Sequence, residues 1–175
     1  MTTVRFVREF FKYPRQIGTF TESSKALARK MAQEIDGSST VVEFGAGTGS
    51  VTRQILQRLP ADGRLICFEI NASFCEHLRR IGDPRLMVIN DDAANCRRHI
   101  DAPECVVSAL PLALLKKSKK NHILSITGKC KRYVQLQYTP LLRGKMREYF
   151  REVTVKFVPQ NFPPAFVFVC KNPRG

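Results

Sequence analysis

The sequence predicts a doubly wound α/β fold, a mostly parallel seven-stranded sheet that ends in an antiparallel hairpin. Three observations predict it. Short apolar strand-like runs alternate with helical spacings from residue 40 to residue 137. A glycine cluster, Gly45-Ala46-Gly47-Thr48-Gly49, joins the first of those runs to its helix. Near the end, the proline-rich PQNFPP separates two further β-type runs.

Each element has a local reason. Before the core, Phe6, Val7, Phe10 and Phe11 share one helical stripe while Arg5, Arg8, Glu9 and Lys12 fill the rest, and Pro14 ends the turn. This amphipathic helix over 1–14 suits a lipid interface, or else packs its rings on the domain. Thr40–Phe44 is the first strand, and VTRQILQRL follows with Val51, Ile55, Leu56 and Leu59 at helical spacing. Arg64–Glu69 is the second strand, followed by a helix that Asn71 caps and that is apolar at Phe74, Cys75 and Leu78. Arg85–Ile89 is the third strand, with a short helix near Ala93–His99. Cys105–Leu110 and Arg132–Gln137 are the fourth and fifth, separated by a lysine-rich helix around Leu112–Lys120. Val153–Val158 and Ala165–Lys171 form the terminal hairpin, because prolines lack the ladder donor a central strand requires.

At 175 residues the chain reads as one domain, 1–175, with its α/β core over 40–175. Its formal charge is +14, and the excess is local: residues 106–175 hold fourteen basic and two acidic side chains, whereas 41–105 hold eight and nine. Lys116, Lys117, Lys119 and Lys120 are the densest cluster. Such a bias fits a polyanionic partner, either nucleic acid or an anionic membrane. No apolar run approaches the roughly 20 residues of a membrane span, and the start lacks the pattern of a secretory signal. Six cysteines stand singly with no C-x-x-C pair, which argues against a metal site. In apolar settings such as LICFEI they read as buried free thiols of a reducing cytoplasm.

The stretch Glu43-Phe44-Gly45-Ala46-Gly47-Thr48-Gly49-Ser50 carries the chemistry. It leaves a strand and opens a helix, as a nucleotide-type glycine loop must. The dinucleotide form fails because Ser50 takes its last glycine position. An acid two residues before the first glycine would repel a pyrophosphate but suits a ligand with a cationic amine. Glu69 ends the second strand, where an acid can accept both ribose hydroxyls, and Asp92 follows the third, placed to accept from an adenine amino group. Three acids at successive strand ends mark the edge where open α/β sheets bind ligands.

With these residues in place, the sequence resembles the class I S-adenosylmethionine-dependent methyltransferases, and most closely the bacterial phospholipid N-methyltransferases, relatives of the ribosomal RNA adenine dimethylases. The resemblance rests on VVEFGAGTGSVT, ICFEIN, Asp92-Ala93, VVSALPL, QYTP and the family-specific REYFREVTVKFVPQNFPPAFVFVCK. It implies a Rossmann-like fold and S-adenosylmethionine held by Gln16, Glu43, Gly45, Gly47, Gly49, Glu69, Asp92 and Ala93. It implies in-line methyl transfer, with a helix over Ser23–Ile35 leading into the first strand and Gly128 as the candidate for the turn before the fifth. It also implies a peripheral enzyme on the inner, cytoplasmic face of a bacterial cell membrane, contacting lipid through the N-terminal helix and the basic terminal third.

The fourth strand separates two acceptors. Adenine N6-methyltransferases carry an Asn/Asp-x-Pro-Tyr/Phe motif whose ring stacks on the base. Here Ala109-Leu110-Pro111-Leu112 stands at that place, so an RNA adenine acceptor is the alternative and a phospholipid amine such as phosphatidylethanolamine the preferred reading. Its ammonium has a pKa of about 10, so presenting the neutral amine at pH 7 costs about 4 kcal/mol. Ser108 and Tyr138 are the expected acceptors of catalysis, and Arg143 and Lys145 the expected partners of the lipid phosphate. His77, His99 and His122 read as structural or surface residues.

Overall fold

The computed structural model describes residues 20–101, 103–161 and 163–174, without the side chains of 20–24. The N-terminal amphipathic stretch, Gln16 and Phe162 therefore lie outside the described residues. A single sheet runs in the order β3-β2-β1-β4-β5-β7-β6. Its strands are β1 (Thr40–Phe44), β2 (Arg64–Phe68), β3 (Leu86–Ile89), β4 (Cys105–Ser108), β5 (Arg132–Gln137), β6 (Phe150–Val158) and β7 (Ala165–Pro173). β1 to β5 are mutually parallel, and β7 is antiparallel to both β5 and β6. The expected doubly wound sheet with its terminal hairpin is the observed architecture.

Helices cover both faces. α1 (Phe20–Ala32), α2 (Ser50–Leu56) and α3 (Ala72–Arg79) place Leu27, Met31, Ile55 and Leu78 in one apolar layer. α4 (Lys117–Thr127) places Ile123, Leu124 and Ile126 in the other, and the short α5 (Arg143–Arg147) packs against β6. The strands feed the layers alternately: Val41 joins the first and Val42 the second, the two-residue period of a sheet buried on both sides. All six cysteines are buried free thiols.

The boundaries differ from expectation where a side chain or a proline redirects the chain. The lysine-rich helix is displaced from Leu112–Lys120 to Lys117–Thr127. Pro111 starts only a 3₁₀ turn over Leu112–Leu114, and the helix forms where Ile123, Leu124 and Ile126 can reach the core. Arg85 stands just outside β3: its amide donates to Asp83 Oδ1 (2.9 Å), and its guanidinium binds Asp83 (2.7 Å) and the carbonyls of Leu59 (2.8 Å) and Leu56 (3.0 Å). The helix expected over Ser23–Ile35 is α1, with a 3₁₀ turn over Gln33–Ile35. Near Ala93–His99 stands a 3₁₀ helix, Ala93–Arg98, capped by Asp92. The hairpin strands are each longer than expected, reaching back to Phe150 and on to Pro173. Gly128 ends α4 at a negative φ and packs on the Tyr149 ring, so close approach is its role.

Candidate active site

A cleft of about 470 Å³ opens over the C-terminal ends of the parallel strands, a volume in the ordinary range for a small-molecule site. Its walls come from four successive strand ends. Gly45 and Gly47 follow β1, Glu69 to Asn71 and Phe74 follow β2, Asp91 to Ala93 follow β3, and Ala109 to Pro111 follow β4. This is where parallel sheets bind ligands: each strand delivers a loop to the same edge, and β1 and β4 diverge there into opposite helical layers.

The glycine loop turns through left-handed conformations, with φ of +74° at Gly45, +53° at Gly47 and +80° at Gly49. Their surroundings differ. A Cβ on Gly47 would meet nothing within 4 Å, whereas one on Gly49 would lie 2.8 Å from Arg53 Nη1 and 2.9 Å from Leu78 Cδ2. Gly47 thus faces open cleft and Gly49 sits against the packed start of α2. We expect Gly49→Ala to lower stability by about 2–4 kcal/mol through strain and overpacking. Gly47→Ala is expected to cost about 1 kcal/mol of left-handed strain while weakening ligand binding more than tenfold. Thermal melts and ligand titration on both variants check this division.

The three strand-end acids occupy three different environments. Glu69 is 8% exposed and lines the cleft. Its Oε2 accepts from Gly47 N (2.9 Å) and its Oε1 from Asn71 N (2.8 Å). Asn71 in turn caps α3 by accepting from Ser73 N at 2.9 Å, so this one carboxylate ties the glycine loop to the next helix. Asp92 also lines the cleft, accepts from Ala94 N (2.9 Å) and pairs with Lys119. Partial burial opposes its ionisation, but the hydrogen bonds from Lys119 and Ala94 outweigh it and hold the carboxyl below its ordinary value. Glu43 is different. It faces the α2 layer behind the loop, accepts from Thr52 Oγ1 (2.7 Å) and Cys67 Sγ (3.1 Å), and leaves Oε1 unpartnered. Burial pushes its pKa up to about 7, against the Thr52 and Cys67 hydrogen bonds, with the charge of Glu69 adding to the rise.

The structure brings Gly45, Gly47, Glu69, Asp92 and Ala93 together on the wall, with Glu43 and Gly49 supporting the loop from behind. Ser108 is fully buried, its Oγ accepting from Leu110 N at 3.3 Å, so it underlies the β4 loop rather than lining the cleft. Tyr138 packs beside the α1–α3 layer, where burial pushes its phenol up to about 12 against a hydrogen bond with Asn161. Arg143 and Lys145 stand on α5, away from the lining, and Lys145 pairs with Glu148. Sequence reasoning missed Lys119, which turns into the cleft from a run of four lysines that nothing in the pattern distinguishes. It also missed Phe74, whose helical spacing reads as core although the ring lines the cleft.

No protein-family model matches the chain. A similar curated protein is the ornithine lipid N-methyltransferase of Singulisphaera acidiphila, 29% identical over 181 residues that cover 95% of this chain and 94% of that protein. Among solved structures, magnesium protoporphyrin IX methyltransferase from Synechocystis PCC 6803, with bound S-adenosylmethionine, superposes with a TM-score of 0.72 at 11% identity, covering 98% of both chains. The fold is that of a class I methyltransferase. A second methyltransferase neighbour, the 1,6-didemethyltoxoflavin-N1-methyltransferase of Burkholderia thailandensis, superposes with a TM-score of 0.68 at 15% identity over 97% of this chain and 86% of that one. Its structure holds S-adenosylhomocysteine. In this methyltransferase fold, the glycine loop after β1 and the acids after β2 and β3 stand at one edge of the sheet.

Proposed function

We propose that the chain is an S-adenosylmethionine-dependent N-methyltransferase acting on the amine of a membrane lipid head group. The observation that carries this reading is the wall after β4. Ala109, Leu110 and Pro111 line the cleft, and Leu112 is fully buried, so that wall offers neither the amide nor the stacking ring that an adenine base needs. An aliphatic surface suits an alkyl amine. The similar lipid N-methyltransferase, matched along nearly its whole length, supports the same acceptor class.

The residues present fit the cofactor. Gly47 leaves room at the cleft, Glu69 keeps lone pairs beyond its two amide bonds for ribose hydroxyls, and Asp92 stands one strand further along for the adenine amine. Glu43 lies under the loop with a pKa pushed up to about 7 by burial, so a cationic ligand above the loop would favour its ionised form. When bound, S-adenosylmethionine supplies a methyl group on a sulfonium, which passes to the amine lone pair as S-adenosylhomocysteine departs. The protein's part at the acceptor is to make that lone pair available. An ammonium of pKa about 10 must lose about 4 kcal/mol of protonation preference at pH 7, and an aliphatic wall contributes by disfavouring the charged form. Leu110 is held for this by its carbonyl, which accepts from Gln135 Nε2 at 2.9 Å.

Two head groups present the same primary amine, those of phosphatidylethanolamine and of ornithine lipid. The test offers labelled S-adenosylmethionine with vesicles of each lipid and, in a third arm, with ribosomal RNA. Label is expected in lipid. Label in RNA with none in either lipid would overturn the reading, and the two lipid arms identify the head group.

A further inference from the structure

We propose that the C-terminal edge of the sheet is itself the surface that enters an anionic bilayer, so that the cleft opens directly into lipid; this rests on the lipid-amine reading above. The described residues include four exposed large apolar side chains: Ile70 (73% exposed), Met87 (59%), Leu141 (81%) and Phe157 (56%). Three of the four stand on one edge. Ile70 follows the end of β2 and forms part of the cleft rim, and Leu141 follows the end of β5. Phe157 is the penultimate residue of β6 and pairs with Phe166, which in turn pairs with Gln137 at the end of β5. In the order β2-β1-β4-β5-β7-β6 these positions span five strand spacings, about 24 Å. An apolar residue alone on a surface needs no explanation; three spread along the sheet edge on which the active-site cleft opens do. Phe157 is reinforced by the Phe166 ring, 5.2 Å away between centroids.

The charges on this edge select the occupant. The chain leaving β4 arrives there with Lys116, Lys117, Lys119 and Lys120, and α4 has no acid in its first turn. Cations at a helix N-terminus oppose the helix dipole, so the helix gains nothing from Lys116 and Lys117 there. Of these four lysines only Lys119 has an ion pair among the described residues, with Asp92. Lys116, Lys117 and, after β5, Arg143 are exposed without one. The acids of the same edge are already engaged: Asp91 by His99 and Asn95, Asp92 by Lys119, and Glu69 by two backbone amides. Exposed apolar side chains interleaved with unpaired cations are complementary to anionic head groups lying over acyl chains. A lipid amine at that depth reaches the cleft without leaving the bilayer.

The experiment places an environment-sensitive fluorophore on single introduced cysteines, Ile70→Cys, Leu141→Cys, Phe157→Cys and Met87→Cys, in the full chain; the six native thiols are buried. Vesicles of phosphatidylglycerol and phosphatidylcholine in equal parts are added without S-adenosylmethionine. Blue-shifted, brighter emission is expected at 70, 141 and 157 and no change at 87, which lies mid-strand on β3. Leu141→Asp combined with Phe157→Asp is expected to weaken vesicle binding at least about tenfold. Lys116→Gln and Lys117→Gln are each expected to weaken it about fivefold, with pure phosphatidylcholine vesicles binding poorly throughout. Equal shifts at all four sites, no shift at 141 and 157, or a double variant that binds as the parent does would overturn the proposal. Methylation of detergent-dispersed lipid without insertion of the labels defeats the rim and leaves the acceptor reading standing. Insertion without lipid methylation does the reverse.

Discussion

Glu69→Gln is expected to weaken S-adenosylmethionine binding by about two orders of magnitude while the protein stays folded. Charge-assisted hydrogen bonds contribute about 1.5–3 kcal/mol each, and Glu69 is placed to make such bonds in two directions. Inward, its oxygens accept from Gly47 N and Asn71 N, holding the glycine loop against the start of α3. Outward, the same carboxylate lines the cleft. An amide has one acceptor oxygen, so in the variant an NH₂ group faces one of the two backbone donors, and the charge available to a ribose is gone. Isothermal titration measures the affinity and a thermal melt the fold. The strands and both apolar layers are untouched, so a fall of only a few degrees in Tm is expected. An affinity equal to that of the parent would remove Glu69 from the cofactor site.

The second large effect is a dependence of stability on pH. Glu43 has a pKa of about 7 in the folded protein against 4.5 for the unreacted side chain. Between those values the folded state holds the proton and the unfolded state does not, so stability falls as pH rises from about 4.5 to about 7, and is level above. The shift corresponds to about 3 kcal/mol, in order of magnitude, over that window. The opposite sign belongs to Asp83 and Asp91, both lowered to about 2 by hydrogen bonds, from Arg85 and from Asn95 and His99 respectively. Their stabilisation is present above about pH 4 and is lost below it, so the two windows do not overlap. Denaturant melts across pH 4–8 on the parent and on Glu43→Gln isolate the Glu43 contribution as the difference between curves. The variant is expected to lose the downward slope; an identical slope in both proteins would assign it elsewhere.

Much of this site was legible because strand ends are legible. A β-branched run followed by glycines fixes where β1 stops, and parallel order then brings Glu69 and Asp92 to the same edge whatever the details of the connections. The terminal hairpin was equally readable, since PQNFPP can only be a connection. What resisted reading was side-chain direction and non-local pairing. Ser108 sits at a strand end like the acids, but strand parity turns it towards Tyr133 and away from the cleft. Lys119 differs from its lysine neighbours only in facing Asp92, a contact between residues 27 apart in sequence. The start of α4 depended on which apolar residues reach the second layer, and the spacing around the lysines did not show it. The insertion of β7 between β5 and β6 was also hidden, because a hairpin alone does not say which of its strands meets the sheet.

That insertion has a consequence for the protein's birth. β7 spans residues 165–173 and is clasped on both sides, in six register pairs with β5 and eight with β6. During synthesis β6 emerges first, yet it has no place in the sheet until β7 has passed the ribosomal exit and slotted in beside β5. Until then Tyr133 and Val134, fully buried in the finished protein, stand on an open strand edge. The cleft residues, all before residue 120, are thus made early on a sheet that closes late. A nascent chain stalled before residue 165 is expected to be sticky rather than partly active.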